Sequence, residues 1–237
     1  MLFLEEGYII RLGITNYAYF LMEVNMGVWK SIFNNTCKPK GLFGMWMVTG
    51  MNHAHAALGD WGIRHLPETG FDQIVELGCG GGRNVKALLR RYPAARITAL
   101  DYAQIAVEKT KRINEQAIQK GRCCVVQGDV SRLPFRDRQF DLATAFETVY
   151  FWPGPVESFR EVYRILKPGG GFLIVNEADG TNPRDARWLR TIDGLRIYNK
   201  EQLIDFLTEA GFSSITVDHS PNMHRLCLLA VRGTAAL

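Results

Sequence analysis

From Phe71 onward, short apolar runs alternate with stretches in which apolar residues recur every three to four positions. Asp72 to Leu77 (DQIVEL) is one such run; it stops at glycines and predicts a first strand. Val85, Leu88, Leu89 and Tyr92 then follow at i, i+3, i+4 and i+7, one face of a helix that Pro93 ends. Arg96 to Leu100 (RITAL) predicts a second strand, leading into Asp101. A helix is expected over 104–119, with Ala106, Thr110, Ile113 and Ala117 on one face and Gly121 closing it. Arg122 to Gln127 and Phe140 to Ala145 predict strands three and four. The next helix, over 155–166, presents Val156, Phe159, Val162 and Leu166, and Lys167-Pro168-Gly169-Gly170 breaks it before a fifth strand, Gly171 to Asn176. Residues 179–200 are polar and read as irregular. Asn199 and Gln202 form a capping box ahead of Leu203, Phe206, Leu207 and Ala210. Phe212 to Val217 and Leu226 to Val231 predict a closing hairpin.

This alternation predicts an α/β fold, a mainly parallel doubly wound sheet with helices on both faces. Ligands of such sheets bind at the carboxyl ends of the strands, so the residues just after each strand carry the chemistry.

Composition narrows the field. Of 237 residues 47% are apolar and 22% charged, enough apolar surface to offset chain entropy and exclude disorder. The net charge of +4 is short of the dense basic stripe that nucleic-acid binding needs. Five cysteines without regular spacing argue against a disulfide framework and for a reducing cytoplasm. Glu5 and Glu6 stand where a signal peptide would carry basic residues. Gly41 to Gly59 holds no formal charge over 19 positions, but its four glycines, Asn52, His53 and His55 fit a cover helix better than a membrane span. The division expected is a helical cover over residues 1–70 and a binding domain over 71–237.

After strand one comes Glu76-Leu77-Gly78-Cys79-Gly80-Gly81-Gly82, a loop whose glycines let backbone approach a ligand. Its Gly-x-Gly-x-Gly spacing departs from the dinucleotide pattern Gly-x-Gly-x-x-Gly. A carboxylate at Glu76 would repel a pyrophosphate but suit an ammonium or hydroxyl. Asp101, 19 residues after Gly82, is placed to accept both ribose hydroxyls of a nucleoside, or to cap the next helix. Asp129 and Val130 after strand three can take an adenine amine and pack the base edge, or form a plain loop. Strand four ends in Ala145-Phe146-Glu147.

Together VELGCGGG, ALDYA, QGDVSRLPF, FDLATAFE and RILKPGGGFLIVNE resemble the class I S-adenosylmethionine-dependent methyltransferases, the small-molecule branch that includes quinone-biosynthesis enzymes. The resemblance covers roughly Phe71 to Val231. It implies a seven-stranded Rossmann-like sheet of order 3-2-1-4-5-7-6 with the seventh strand antiparallel. It also implies S-adenosylmethionine as cofactor and S-adenosylhomocysteine as product. Gly78, Cys79, Gly80, Gly82 and Asn84 would cradle the methionine part. Glu76 would contact its ammonium, directly or through water, Asp101 would hold the ribose, Asp129 and Val130 the adenine, and the Phe146 carbonyl would face the methionine amine, with Tyr102 a further cofactor-binding residue. Arg83 stands where many relatives have a small hydroxyl residue, and either pairs the cofactor carboxylate or lies on the helix surface.

Methyl transfer from a sulfonium needs alignment first, and a base only where the nucleophile must lose a proton. His55, Glu147 and Tyr150 are the catalytic candidates, with His53, Trp152 and Tyr198 as acceptor-binding residues. His53 and His55 lie two apart and cannot share a helix face. Met51-Asn52-x-x-His55 with Trp61-Gly62 resembles the lid of a bacterial small-molecule subgroup, which favours His55. The expected partner is a small-molecule acceptor, with no nucleic acid and no membrane span. No metal-ligand cluster is recognisable near the strand ends, so no metal is expected. Rival readings are a nucleic-acid or protein methyltransferase and a non-catalytic S-adenosylmethionine-binding protein. Phe146-Glu147-Thr148-Val149 lacks the Pro-Pro-aromatic and Pro-Cys signatures of base methyltransferases. The 13 basic against 5 acidic residues over 83–138 fall mainly on outer helix faces.

Overall fold

A computed structural model describes residues 55–183, 185–220 and 225–234. His53, and most of the cover expected over 1–70, lie outside the described residues. The described chain runs α1 (Ala56–Ile63), β1 (Gln73–Leu77), α2 (Arg83–Arg91), β2 (Arg96–Asp101), α3 (Gln104–Ile113), α4 (Glu115–Gln119) and β3 (Cys123–Gln127). It continues with β4 (Phe140–Phe146), a 3-10 turn (Val149–Phe151), α5 (Pro155–Ile165), β5 (Leu166–Asn176), α6 (Asp185–Thr191), α7 (Lys200–Glu209), β6 (Phe212–Ser220) and β7 (Arg225–Arg232).

The seven strands form one sheet in the order β3-β2-β1-β4-β5-β7-β6. β7 runs antiparallel between β5 and β6, and the pairs from β3 to β5 are parallel. Order and direction match the expectation. The central strands are apolar on both faces because helices cover both. Alternation along β1 sends Ile74 to one core, with Leu58, Leu88 and Val107, and Val75 and Leu77 to the other, with Phe159, Val162, Leu203 and Leu207. The chain leaves β1 toward β2 and β3, then returns to β4. The carboxyl ends of β1 and β4 therefore flank a crevice.

Three details differ from the sequence reading. The helix expected over 104–119 divides at Asn114, whose side-chain amide donates to the carbonyls of Thr110 and Gly82. β5 begins at Leu166, because the chain pairs again with β4 before and after the Lys167–Gly170 turn. The stretch read as irregular over 179–200 contains α6.

α1 lies against the first of the two cores through Leu58 and Ile63. Its backbone comes close because Gly59 and Gly62 face inward. A side chain at Gly62 would overlap Val175 and crowd Phe146, and one at Gly59 would overlap Asn84. Arg83 on α2 pairs with Asp60 on α1 at 2.5 Å, and His65 pairs with Asp218 on β6 at 2.7 Å. Arg83 is thus the fastener of the cover helix.

Candidate functional site

The glycine loop is pinned from three sides. Gly78 and Cys79 donate their amides to the Leu100 carbonyl at 2.8 and 3.0 Å. Gly78 sits at φ +80°, where a side chain would overlap Thr148. Gly82, at φ +77°, presses on α3, where an added Cβ would stand 2.8 Å from the Thr110 Cα. Thr110 Oγ1 donates to the Gly80 carbonyl at 3.0 Å and contacts the buried Cys79 Sγ at 3.4 Å. At Gly80, by contrast, no described residue beyond its chain neighbours lies within 4 Å of where a side chain would point, so among the described residues the loop is open on that side.

Asp101 ends β2 beside the loop. Its Oδ2 accepts the Gly80 amide at 2.8 Å and its Oδ1 the Ala103 amide at 2.9 Å. Asp101 thus supports the loop and makes an Asx turn ahead of α3, whose N-cap is Ala103 with no side-chain cap, and each oxygen keeps a lone pair for a ligand hydroxyl. Burial raises its carboxyl above the usual range, against the hydrogen bonds from Ala103 and Gly80. Tyr102 next to it is an exposed ring, and Gln127 donates to its carbonyl.

Glu76 stands near the end of β1, two residues before Gly78. It is fully buried within the sheet, where Thr144 of β4 donates its hydroxyl to it, and burial pushes its carboxyl well above the usual range. Asp129 is exposed, and its Oδ1 takes the amide and hydroxyl of Ser131, both at 2.8 Å, which is the turn role of a loop aspartate. Val130 is partly buried against the second core, Phe146 is buried beneath α1, and Asn84 accepts from Arg83 at 3.0 Å.

The acceptor candidates separate into two groups. Trp152 is a correction: it is a core residue, stacked on Phe172 at 6.0 Å and donating Nε1 to Thr148 at 3.2 Å, so it supports the loop neighbour Thr148 and walls no pocket. Tyr198 is likewise buried, edge-on to Phe206, with no hydrogen-bond partner for its hydroxyl among the described residues.

His55, Glu147 and Tyr150 do come together. His55 stands at the start of α1 with no capping bond, so its ring is left to face β4 and β5. Glu147 follows β4 at φ +58°, a left-handed conformation that costs a non-glycine residue about 1 kcal/mol or more. Its Oε1 accepts from the Tyr150 hydroxyl at 3.0 Å and from the Glu177 amide. Its Oε2 lies 3.5 Å from His55 Nδ1. The Tyr150 hydroxyl in turn accepts the Ala178 amide at 2.8 Å. Burial pushes the Glu147 carboxyl up to about 7, with His55 opposing. The His55 imidazole is raised, chiefly by Glu177.

Glu177 is the group that sequence reasoning missed. It follows β5 directly, and its Oε2 lies 3.2 Å from the same His55 nitrogen. The rule that singled out Glu147, a carboxylate just past a strand, applies to it equally. The expectation that no clustered donor set lies near the strand ends is also corrected: donor atoms of His55, Glu147 and Glu177 lie within 4.8 Å of one another, close enough to share a cation. A surface cavity of about 600 Å³ lies elsewhere, against Lys111, Ile118, Cys123 and Cys124 at the amino end of β3, and holds none of these groups.

Residues 75–174 match a family described as a methyltransferase domain. Over those residues, which run from β1 into β5, the chain is similar to methyltransferase domains. Cycloartenol-C-24-methyltransferase 1 of Oryza sativa subsp. japonica is 28% identical over 60% of this chain and 44% of that protein. A chloroplastic 2-methyl-6-phytyl-1,4-hydroquinone methyltransferase of the same plant is 25% identical over 61% and 42%. The chain thus spans less than half the length of these relatives. A methyltransferase solved with the Trm112 activator of Haloferax volcanii shares the fold, with a TM-score of 0.75 and 19% identity over 81% of this chain and 96% of that one. Human N-acetylserotonin methyltransferase, solved in complex with S-adenosylmethionine, shares the fold with a TM-score of 0.65 and 17% identity over 91% of this chain and 59% of that one. The open side of the loop at Gly80 and the two-sided Asp101 fit S-adenosylmethionine.

Proposed function

We propose that this protein transfers a methyl group from S-adenosylmethionine to a small-molecule acceptor. The acceptor enters beneath α1, at the carboxyl ends of β4 and β5. The observation that carries this reading is the meeting of His55 with Glu147 and Tyr150 beside the glycine loop, from two segments far apart in sequence. The relatives support a small acceptor, being named for a sterol precursor and a hydroquinone. We also place the protein in the cytoplasm, a reading supported by the free thiols of Cys79, Cys123, Cys124 and Cys227.

When bound, S-adenosylmethionine supplies an electrophilic methyl group with a neutral leaving group. Gly78 to Gly82 and Asp101 would hold it. The chain's remaining task is alignment of the acceptor and removal of its proton. α1, seated on Val175 and Phe146 through Gly62, covers one side of this corner. Tyr150, fixed by Glu147 and the Ala178 amide, is a rigid wall. His55 is the group that takes the proton from a hydroxyl or amine.

The test is release of S-adenosylhomocysteine across a panel of amines, phenols, thiols and quinols, with calorimetry of cofactor binding. Turnover of one class with cofactor binding is expected. A protein that binds neither S-adenosylmethionine nor its product would refute the reading.

A further inference from the structure

Both carboxylates beside His55 address one ring nitrogen. Glu177 Oε2 stands 3.2 Å and Glu147 Oε2 3.5 Å from Nδ1. A carboxylate next to an imidazole nitrogen favours the tautomer with the proton there, which leaves the lone pair on the other nitrogen. Nε2 is then the basic atom. The two carboxylates are not equivalent. The Glu147 side chain is committed elsewhere, through Oε1, to the Tyr150 hydroxyl and the Glu177 amide, and it is only 16% exposed. Glu177 is nearer to the ring, and its side chain is 55% exposed at the open edge of the corner.

We propose that Glu177 is the positioning residue of this site: it holds the Nδ1–H of His55 so that Nε2 receives the acceptor's proton. The inference rests on the methyl-transfer reading above and assigns a role to the last residue of RILKPGGGFLIVNE, which the resemblance left without one. As the acceptor X–H attacks, its proton passes to Nε2 while Nδ1 keeps its own. The X–C bond forms with the acceptor's electron pair, the C–S bond breaks, and that pair stays on sulfur. The resulting imidazolium lies against Glu177, which stabilises it as the buried carboxylate of a Ser-His-Asp triad does. In this structure Nδ1 meets the two carboxylates at ion-pair distance without hydrogen-bond geometry among the described residues, as catalytic contacts do before an acceptor is bound.

The experiment uses Glu177→Gln, which keeps shape and removes charge, beside His55→Ala and wild type. The readouts are steady-state kinetics with an acceptor found in the panel, S-adenosylhomocysteine calorimetry, and ¹⁵N chemical shifts of the His55 ring. Glu177→Gln is expected to lower kcat at least about tenfold with acceptor KM and cofactor Kd nearly unchanged. The ring signal should move away from the Nδ1–H tautomer, and Glu177→Asp should restore part of the rate. A wild-type tautomer and kcat in Glu177→Gln would overturn the proposal while leaving methyl transfer intact. Full activity in His55→Ala would instead remove the base from the reading itself. Activity abolished by a chelator and restored by Mg²⁺, Mn²⁺ or Zn²⁺ would also overturn the proposal, since the cluster would then be holding a cation.

Discussion

Glu147 and His55 face each other at 3.5 Å, across the seam between the loop after β4 and the start of α1. That contact ties the cover to the sheet at the point where an acceptor would meet the methyl group. His55→Ala should therefore lower turnover by about 10²- to 10⁴-fold, the range for loss of a general base. Cofactor affinity should stay near wild type, because none of the contacts described around the loop and Asp101 involves His55. Steady-state kinetics with parallel calorimetry checks both halves.

Asp101→Ala should weaken cofactor binding. The change removes the acceptor of the Gly80 and Ala103 amides as well as any ribose contact. Hydrogen bonds to a charged group are worth about 1.5–3 kcal/mol each. A fall in S-adenosylhomocysteine affinity of at least about tenfold is expected by calorimetry, and unchanged affinity would move the ribose site elsewhere.

Gly78→Ala tests the loop without touching a polar group. The added methyl would overlap Thr148, at a backbone angle of +80° that alanine resists. Binding should fall more than about tenfold. A smaller Thr148→Ala partner change should recover part of the loss, since it removes the overlap but leaves the backbone strain.

The amino ends of the strands carry a pH-dependent staple. Asp141 on β4 accepts the Asp72 and Gln73 amides at 3.0 and 2.8 Å and pairs with Lys167 at 2.6 Å. Burial opposes its ionisation, but Lys167 and the two amides together bring its carboxyl below the usual value. A group depressed in the folded state adds stability above its unfolded pKa, about 3.9, and loses it as pH falls through the folded value. Melting temperature should thus drop below about pH 4, and Asp141→Asn should flatten that dependence at a cost of about 1 kcal/mol at neutral pH. Thermal melts from pH 2.5 to 7 measure it.

Gly62→Val should loosen the cover. The larger side chain would overlap Val175 and Phe146 and push α1 off the sheet, with a destabilisation of about 1–3 kcal/mol. Faster hydrogen exchange over 56–66 in this variant is the measurement.

The sequence by itself determined the sheet and the cofactor half of the site. Strand and helix rhythms are local, and each strand-end residue keeps its place whatever packs above it. The glycine loop, Asp101 and the capping box at Asn199 were therefore legible one element at a time. The roles of single residues at those places were not. Trp152 has the chemistry of a ligand contact, but it stacks on Phe172. Which face a residue takes depends on strand pairing and core packing, which no local pattern states. The acceptor corner depended most on tertiary structure. His55, Glu147 and Glu177 come from three separate segments, and only the seating of α1 through Gly59 and Gly62 brings the first to the other two. Such a meeting is a sum of long-range contacts, each set by packing, and so only the folded chain decides it.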